Sequence, residues 1–585
     1  MNTRTRIGLE VLQVALVIGV LGDVLLRETP WGVNVTLFNI AFVGGVVALL
    51  WRHARERLTA QTFALMGAQI FFAALYVWRD AIELRVADTF AIIAILGVLF
   101  LPTLKVTARI AGLFQYAVGV IWAGLNSLFG AGVLLGSDIQ WSQISSSGWR
   151  RTALSVLRGL LIALPLLLIF GALFMAADAV YEGWVRRVFN VDFENTLGHL
   201  ALFGVFGWFS AGYLRGILLA GIPTADVNSP ISIIVPEEKE DAKSPMARVR
   251  ADSGEHPVVL AENRTVVEHI NIADSADLEN KNSADSSTKE SGTDANPASK
   301  PAWSWANIDN SVVPGFTLGT VEVGVIFGLV NLLFLSFVIV QVPYLFGGME
   351  LMQNTPDFKL AEYARRGFGE LVAVSAIVLP MLLVSHWLIR KETPIAEKLF
   401  RALAGVQIAL LFVIMASAVQ RLVLLTGNLG YGMTTVRLYP LIFMTWLAIV
   451  FVLFAATVLR GARQHFAWAA LWSAFLILGA THLFNPNEFI VRHNLALMRE
   501  GREFDASYNS GLGDDAFPSL IEAFPEMNED DQQIVFRELA WQNCRKKNEN
   551  DLRSWNISRL AASTSLLQFD ESFTKVVLEC TWHGD

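Results

Sequence analysis

Charge is scarce in this chain, and cysteine scarcer still. Of 585 residues, 17% are Asp, Glu, Lys or Arg, against 54% hydrophobic, where a soluble domain carries roughly 25% charge. The two cysteines, Cys544 and Cys580, cannot make a zinc site on their own. Both lie in a polar C-terminal region, where they pair if it faces an oxidising compartment and otherwise stay separate thiols. There is no His-Glu-x-x-His, no Gly-x-Ser-x-Gly and no Walker sequence, so the common metalloprotease, hydrolase and nucleotide-binding signatures are missing. No nucleophile–base pair stands out in the apolar stretches, which argues against an intramembrane hydrolase. No basic cluster suggests nucleic acid, and no cofactor is expected.

What is present is apolar length. About a dozen stretches of near 20 residues fill most of the chain; Leu161–Ala176 and Leu441–Val458 hold no ionisable group at all. A hydrocarbon core about 30 Å thick needs about 20 helical residues to cross, and a buried backbone must satisfy itself there. The blocks are continuous, not alternating, which excludes a barrel. The expected fold is an all-α polytopic membrane bundle of about 12 spans, near 7–26, 33–51, 59–79, 88–106, 111–136, 154–177, 197–221, 317–345, 367–389, 399–425, 436–459 and 466–484. Arg4 and Arg6 precede the first span like the start of a signal peptide, but Glu10 and Asp23 interrupt it and no A-x-A pattern follows, which favours an uncleaved span.

Two polar regions break the pattern. Residues 223–312 hold 16 Asp and Glu against 8 Lys and Arg and are rich in Ser, Asn and Ala. Such a segment buries too little apolar surface to offset its ordering entropy, so it reads as a disordered linker between transmembrane halves at 1–222 and 313–484. Residues 485–585 read as a helical extramembrane domain, with amphipathic stretches at 485–500, 515–524, 528–543 and 551–567. Asp514 or Asp515 suits the N-cap of the second, and Asn528 or Asp530 that of the third. No repeat relates the two halves, so an inverted-repeat transporter is not supported.

Basic residues set a side. Arg150, Arg151 and Arg158, then Arg390, Lys391, Lys398 and Arg401, then Arg460 and Arg463 fall on one face if every block crosses once. That face reads as cytoplasmic, with the linker on it and the C-terminal domain opposite. Arg52, Arg55 and Arg57, like the N terminus, also look cytoplasmic, yet five spans up to Arg150 give the wrong parity. Either 111–136 re-enters without crossing or an early span is misplaced.

Counting crossings also brings span ends together. Asp178, Glu370, Arg421, Arg437, Tyr439, His482 and Asn485 all fall at the face carrying the C-terminal domain. Ionisable groups near hydrocarbon usually face a bundle interior or a wet cavity, so these residues define a candidate polar vestibule, with Asp178 and Glu370 as counter-charges to Arg421 and Arg437. The plainer reading stands beside it: arginines at span ends snorkel, and His482 and His386 are lone histidines suited to packing or hydrogen bonding. Glu10 and Asp23 have no evident partner in sequence, and Glu322 suits the start of a helix dipole.

Several strings resemble a bacterial membrane family known as domain of unknown function 4173: Pro165–Tyr181 (PLLLIFGALFMAADAVY), Tyr431–Trp446 (YGMTTVRLYPLIFMTW), Asn485–Asn494 (NPNEFIVRHN), Trp149–Arg151 and Ser554–Arg559 (SWNISR). The resemblance carries over to Asp178, Tyr431, Gly432, Thr434, Arg437, Tyr439, Asn485, Pro486, Arg492 and Asn494. Where its members tend to place an acid after the threonine, this chain has Thr435, which undercuts an Arg437–carboxylate pair within that turn. The resemblance brings no activity; it implies a bacterial cytoplasmic membrane. The resulting expectation is a non-enzymatic sensory, regulatory or assembly component. It would contact the lipid bilayer, with protein partners through 223–312 and the C-terminal domain. The alternative is a secondary transporter using the charged vestibule.

Overall fold

The computed structural model describes residues 2–141, 193–219, 320–346, 368–389, 394–428, 431–545 and 551–566. The span expected at 154–177, the linker, Asp178 and Cys580 lie outside them. The described residues belong to one compact unit and are organised by α-helices: α1 Thr3–Leu26, α2 Val33–His53, α3 Ala60–Leu75, α4 Ile82–Phe100, α5 Leu113–Val133, α6 Phe193–Leu219, α7 Thr320–Phe346, α8 Phe368–Leu388, α9 Pro394–Val423, α10 Thr435–Thr457, α11 Phe466–Phe484, α12 Pro486–Arg499, α13 Ala506–Ser510, α14 Phe517–Ala523, α15 Glu529–Arg545 and α16 Ile557–Leu566. Ten of these helices, with their short extensions, are long and apolar enough to cross a bilayer. α3, at 16 residues, is shorter than the 59–79 expected.

Large apolar side chains remain outside, such as Phe90 (67% exposed), Leu333 (66%) and Leu476 (72%). In water such a surface is an aggregation hazard; in hydrocarbon it is the ordinary exterior. Between membrane helices no hydrophobic gradient drives association, so close packing through small residues must. α1 and α6 run antiparallel this way: a Cβ on Gly19 would sit 2.8 Å from the Phe203 carbonyl oxygen, and Asp23 meets His199 at 2.7 Å. The second half has its own core, where Phe327 of α7 packs edge-on to Phe400 of α9 at 5.3 Å with Phe451 and Phe454 of α10 buried beside them. α11 joins the halves, placing Phe475 against Phe72 of α3.

These contacts sort the helix ends onto two faces. On one lie the start of α1, with Glu10 2.7 Å from His53 at the end of α2, and the end of α6, with Phe100 of α4 against Tyr213. α5 begins at that face, where a Cβ on Gly119 would meet the Gly97 carbonyl oxygen at 2.6 Å. It also finishes there. Its π-helical extension ends at Asp138, which pairs with Arg4 at 2.7 Å and Arg215 at 2.7 Å. On the other face lie the α3–α4 turn, the α11–α12 junction and the C-terminal helices. Glu10 and Asp23 thus have partners after all, supplied by residues remote in sequence.

The C-terminal domain has the helices expected plus α13. Its core gathers Val491, Phe517, Leu520, Val535 and Leu539. Asn528 accepts from the Asp531 N–H at 2.8 Å, as a cap to α15 should. The expected cap on α14 is absent: its N-cap is Ala516, with no side-chain bond. Asp515 turns elsewhere.

Candidate functional site

α3 ends at Leu75, where the N–H groups of Val77, Trp78 and Arg79 turn back onto the carbonyls of Ala74 and Leu75. That leaves the carbonyls of the turn itself, 76–79, in need of partners. They come from the other end of the chain. Asn556 Nδ2 donates to Tyr76 O at 2.8 Å and to Arg79 O at 3.2 Å, and the Ile557 N–H donates to Val77 O at 2.8 Å. The Ser558 hydroxyl sits between Trp78 O, at 2.9 Å, and the Asp515 carboxylate. Asp515 Oδ2 in turn accepts the N–H groups of Asp80 and Ala81, both at 2.8 Å. Those amides belong to the N-cap Ala81 and the residue before it, just ahead of α4, so the carboxylate missing from α14 caps the start of a helix of the membrane bundle, where a negative charge suits the dipole.

A ring of ion pairs encloses this contact. Asp80 Oδ1 takes Arg559 Nη2 at 2.7 Å and also pairs with Arg85. Both guanidinium groups reach the Trp31 carbonyl, at 3.1 and 3.0 Å. Arg79 donates to the His482 carbonyl at 3.0 Å and lies 3.5 Å from Asp515 Oδ1. Burial pushes the Asp80 carboxyl above its ordinary value of 3.8 despite its two arginines. Gly32 completes the fit, since a Cβ there would meet Trp555 O at 2.5 Å.

Beneath the turn, His482 of α11 faces Asp88 of α4 at 3.1 Å, both side chains 1% exposed. His482 Nδ1 lies 3.0 Å from Leu478 O, so Nδ1 carries a hydrogen and Nε2 faces the carboxylate. One further proton between Nε2 and Oδ2 makes the bond, and the pair is then neutral overall whichever partner holds it.

Next to it, the 431–435 turn is held by the same domain. Asn494 accepts from the Met433 N–H at 2.6 Å and donates to Met433 O at 3.0 Å and Asn509 Oδ1 at 2.9 Å. Arg437 is spent on its own turn, donating to Tyr431 O at 3.0 Å and Gly432 O at 2.5 Å. Tyr508 Oη accepts from the Thr435 N–H at 2.8 Å.

Of the vestibule residues, His482 and Asn485 enter this constellation, Asn485 through Glu488 at 2.8 Å and Asp515 O at 3.4 Å. Arg437 lies in the adjoining turn, and the Tyr439 hydroxyl is buried with no hydrogen-bond partner among the described residues. Arg421 is buried in α9, Glu370 is exposed on α8, and Asp178 is outside the described residues. Sequence reasoning missed Arg79, Asp80, Asp88, Asp515, Asn556, Ser558 and Arg559. The signal for three of them was the Ser554–Arg559 string. Asp88, a lone acid inside an apolar block, was a second. Among the described residues no group of three His, Cys, Asp or Glu could hold a metal ion. The arrangement is a polar clamp with most of its bonds made, suited to fastening and to specifying one docked geometry.

The fold and this junction define an α-helical polytopic membrane protein whose C-terminal helices are locked to its bundle. The chain belongs to the family "Domain of unknown function (DUF4153)", whose model matches residues 66–237 and 287–523. The expected family number, 4173, is corrected to 4153; an unknown-function family and a membrane protein were both expected, and both stand. No curated protein and no solved structure matches the chain.

Proposed function

We propose that this protein is a non-enzymatic membrane component of sensory, regulatory or assembly type, in which the C-terminal domain and the helix bundle act as one coupled unit. The observation that carries it is the Asp515 carboxylate capping α4 from the far end of the chain. Anything that displaces the domain uncaps a membrane helix, so an event at the domain reaches the bundle directly. Basic residues on the opposite face, Arg4, Arg6, Arg52, Arg55, Arg57 and Arg463, support a cytoplasmic location for that side. The domain is then external, at a bacterial cytoplasmic membrane. A transport vestibule has less support, because Arg437 and Asn485 already bond within the protein.

Crosslinked assemblies purified from membranes test the reading. Wild type, the Asp515→Ala/Ser558→Ala double variant and a chain lacking 223–312 should insert equally but differ in the partners recovered. Identical partner sets in all three would count against it, as would solute uptake into proteoliposomes that Arg437→Gln abolishes.

A further inference from the structure

The first half of the bundle holds a cavity of about 690 Å³ between α2, α4 and α6, lined by neither Asp88 nor His482. Its walls are aromatic and aliphatic, with Phe38 and Phe42 on α2, Ile93 and Leu96 on α4, and Phe206 and Phe209 on α6. The polar side chains around it are largely committed. Gln69 donates to Asn39 Oδ1 at 3.1 Å, and Asn39 to Val35 O at 2.9 Å. Tyr213 donates to Leu96 O at 2.9 Å, while Tyr76 and Thr89 share a bond at 2.6 Å. An apolar space with so few free donors and acceptors holds water poorly.

Trp31 and Tyr76 pack edge-on at 5.8 Å at the end nearest the clamp, and the clamp arginines hold the Trp31 carbonyl. Ser127 of α5 lines the opposite end. The open side is lateral: Ile93 and Phe209, both lining residues, are each 44% exposed on the hydrocarbon-facing exterior. Left empty, a space this large would forfeit extensive dispersion contact along its walls. Its lining runs from residue 202 to 213 on α6, a depth of about 16 Å at 1.5 Å per residue.

We infer that this cavity binds one acyl chain of a bilayer phospholipid, admitted sideways between α4 and α6. The chain fills the apolar walls while its headgroup stays at the membrane face. This site is independent of the coupling role proposed above.

The full chain reconstituted in phosphatidylcholine vesicles, with a diazirine at mid-acyl depth, provides the test. Adducts should concentrate on Leu96, Phe206 and neighbouring lining residues. Ile93→Trp at the opening should remove most of them, while Leu476→Trp on the exterior of α11 leaves them in place. If Ile93→Trp does not reach the membrane, Ser210→Leu fills the cavity from α6 and should give the same loss. Adducts spread evenly over Leu333, Leu476 and the cavity, or undiminished by either filling variant, would overturn the assignment.

Discussion

Asp88 and His482 meet where no water can screen either of them, each with 1% of its side chain exposed. Removing one partner of such a pair strands the other, a cost of about 3–5 kcal/mol. His482→Ala should therefore lower the thermal midpoint of the detergent-solubilised protein sharply. The Asp88→Asn/His482→Gln double variant should recover much of the loss, because two neutral amide groups can hydrogen-bond without leaving a charge. A double variant no more stable than His482→Ala would show that the pair is not coupled. Gly432 makes a second point at this scale. Its φ of +70° is left-handed, and a Cβ would stand 2.7 Å from Asn494 Oδ1. Gly432→Ala should cost about 1–2 kcal/mol from the backbone alone, read as faster proteolysis of the 431–435 turn, and an unchanged cleavage rate would exclude this constraint.

Elements were legible in this sequence to the extent that hydrocarbon length and 3.6-residue periodicity mark them. α10 and α11 fall close to where apolar runs place them, and the amphipathic pattern finds the C-terminal helices. Pairing was not legible, because it depends on which ends converge. Glu10 looked unpartnered until α2 returned His53 to it. Asp515 looked like a local cap, since sequence shows the helix beside it and not the α4 terminus 434 residues away. α5 is the clearest case: its composition is that of a span, yet Asp138 at its end joins Arg4 and Arg215 at the face from which it starts. Thr107→Cys and Ser137→Cys should accordingly react with an impermeant thiol reagent from the same side, and labelling from opposite sides would make α5 a crossing helix. The clamp has its own pH signature. Burial raises the Asp80 carboxyl above its ordinary value of 3.8, so the folded state takes up a proton there more readily than the unfolded chain. That contribution is fully present below about 3.8 and is lost as pH rises through the elevated value. Mild acidification should thus slow hydrogen exchange in the 76–81 turn, and Asp80→Asn should flatten that dependence; an identical pH profile in the variant would remove Asp80 from the explanation.

For the whole molecule, the question is whether the two faces are as different in function as they are in chemistry. One face carries Arg4, Arg6, Arg52, Arg55 and Arg57 around α1 and α2; the other carries a folded domain that holds the bundle by backbone groups. Because the clamp grips the α3–α4 turn, the α11–α12 junction and the start of α2 together, it spans elements from both halves of the chain. Losing it should loosen all three at once, not one at a time. Asp515→Ala leaves the buried N–H groups of Asp80 and Ala81 without their acceptor, at about 1–3 kcal/mol for each unsatisfied group. Hydrogen exchange in nanodiscs should then show faster exchange in residues 76–81, 482–487 and 554–559 alike, with the core around Phe327 and Phe400 unchanged. Exchange raised only in 76–81 would mean that the domain is attached at several independent points, and the mechanical unity that the coupling role requires would be gone.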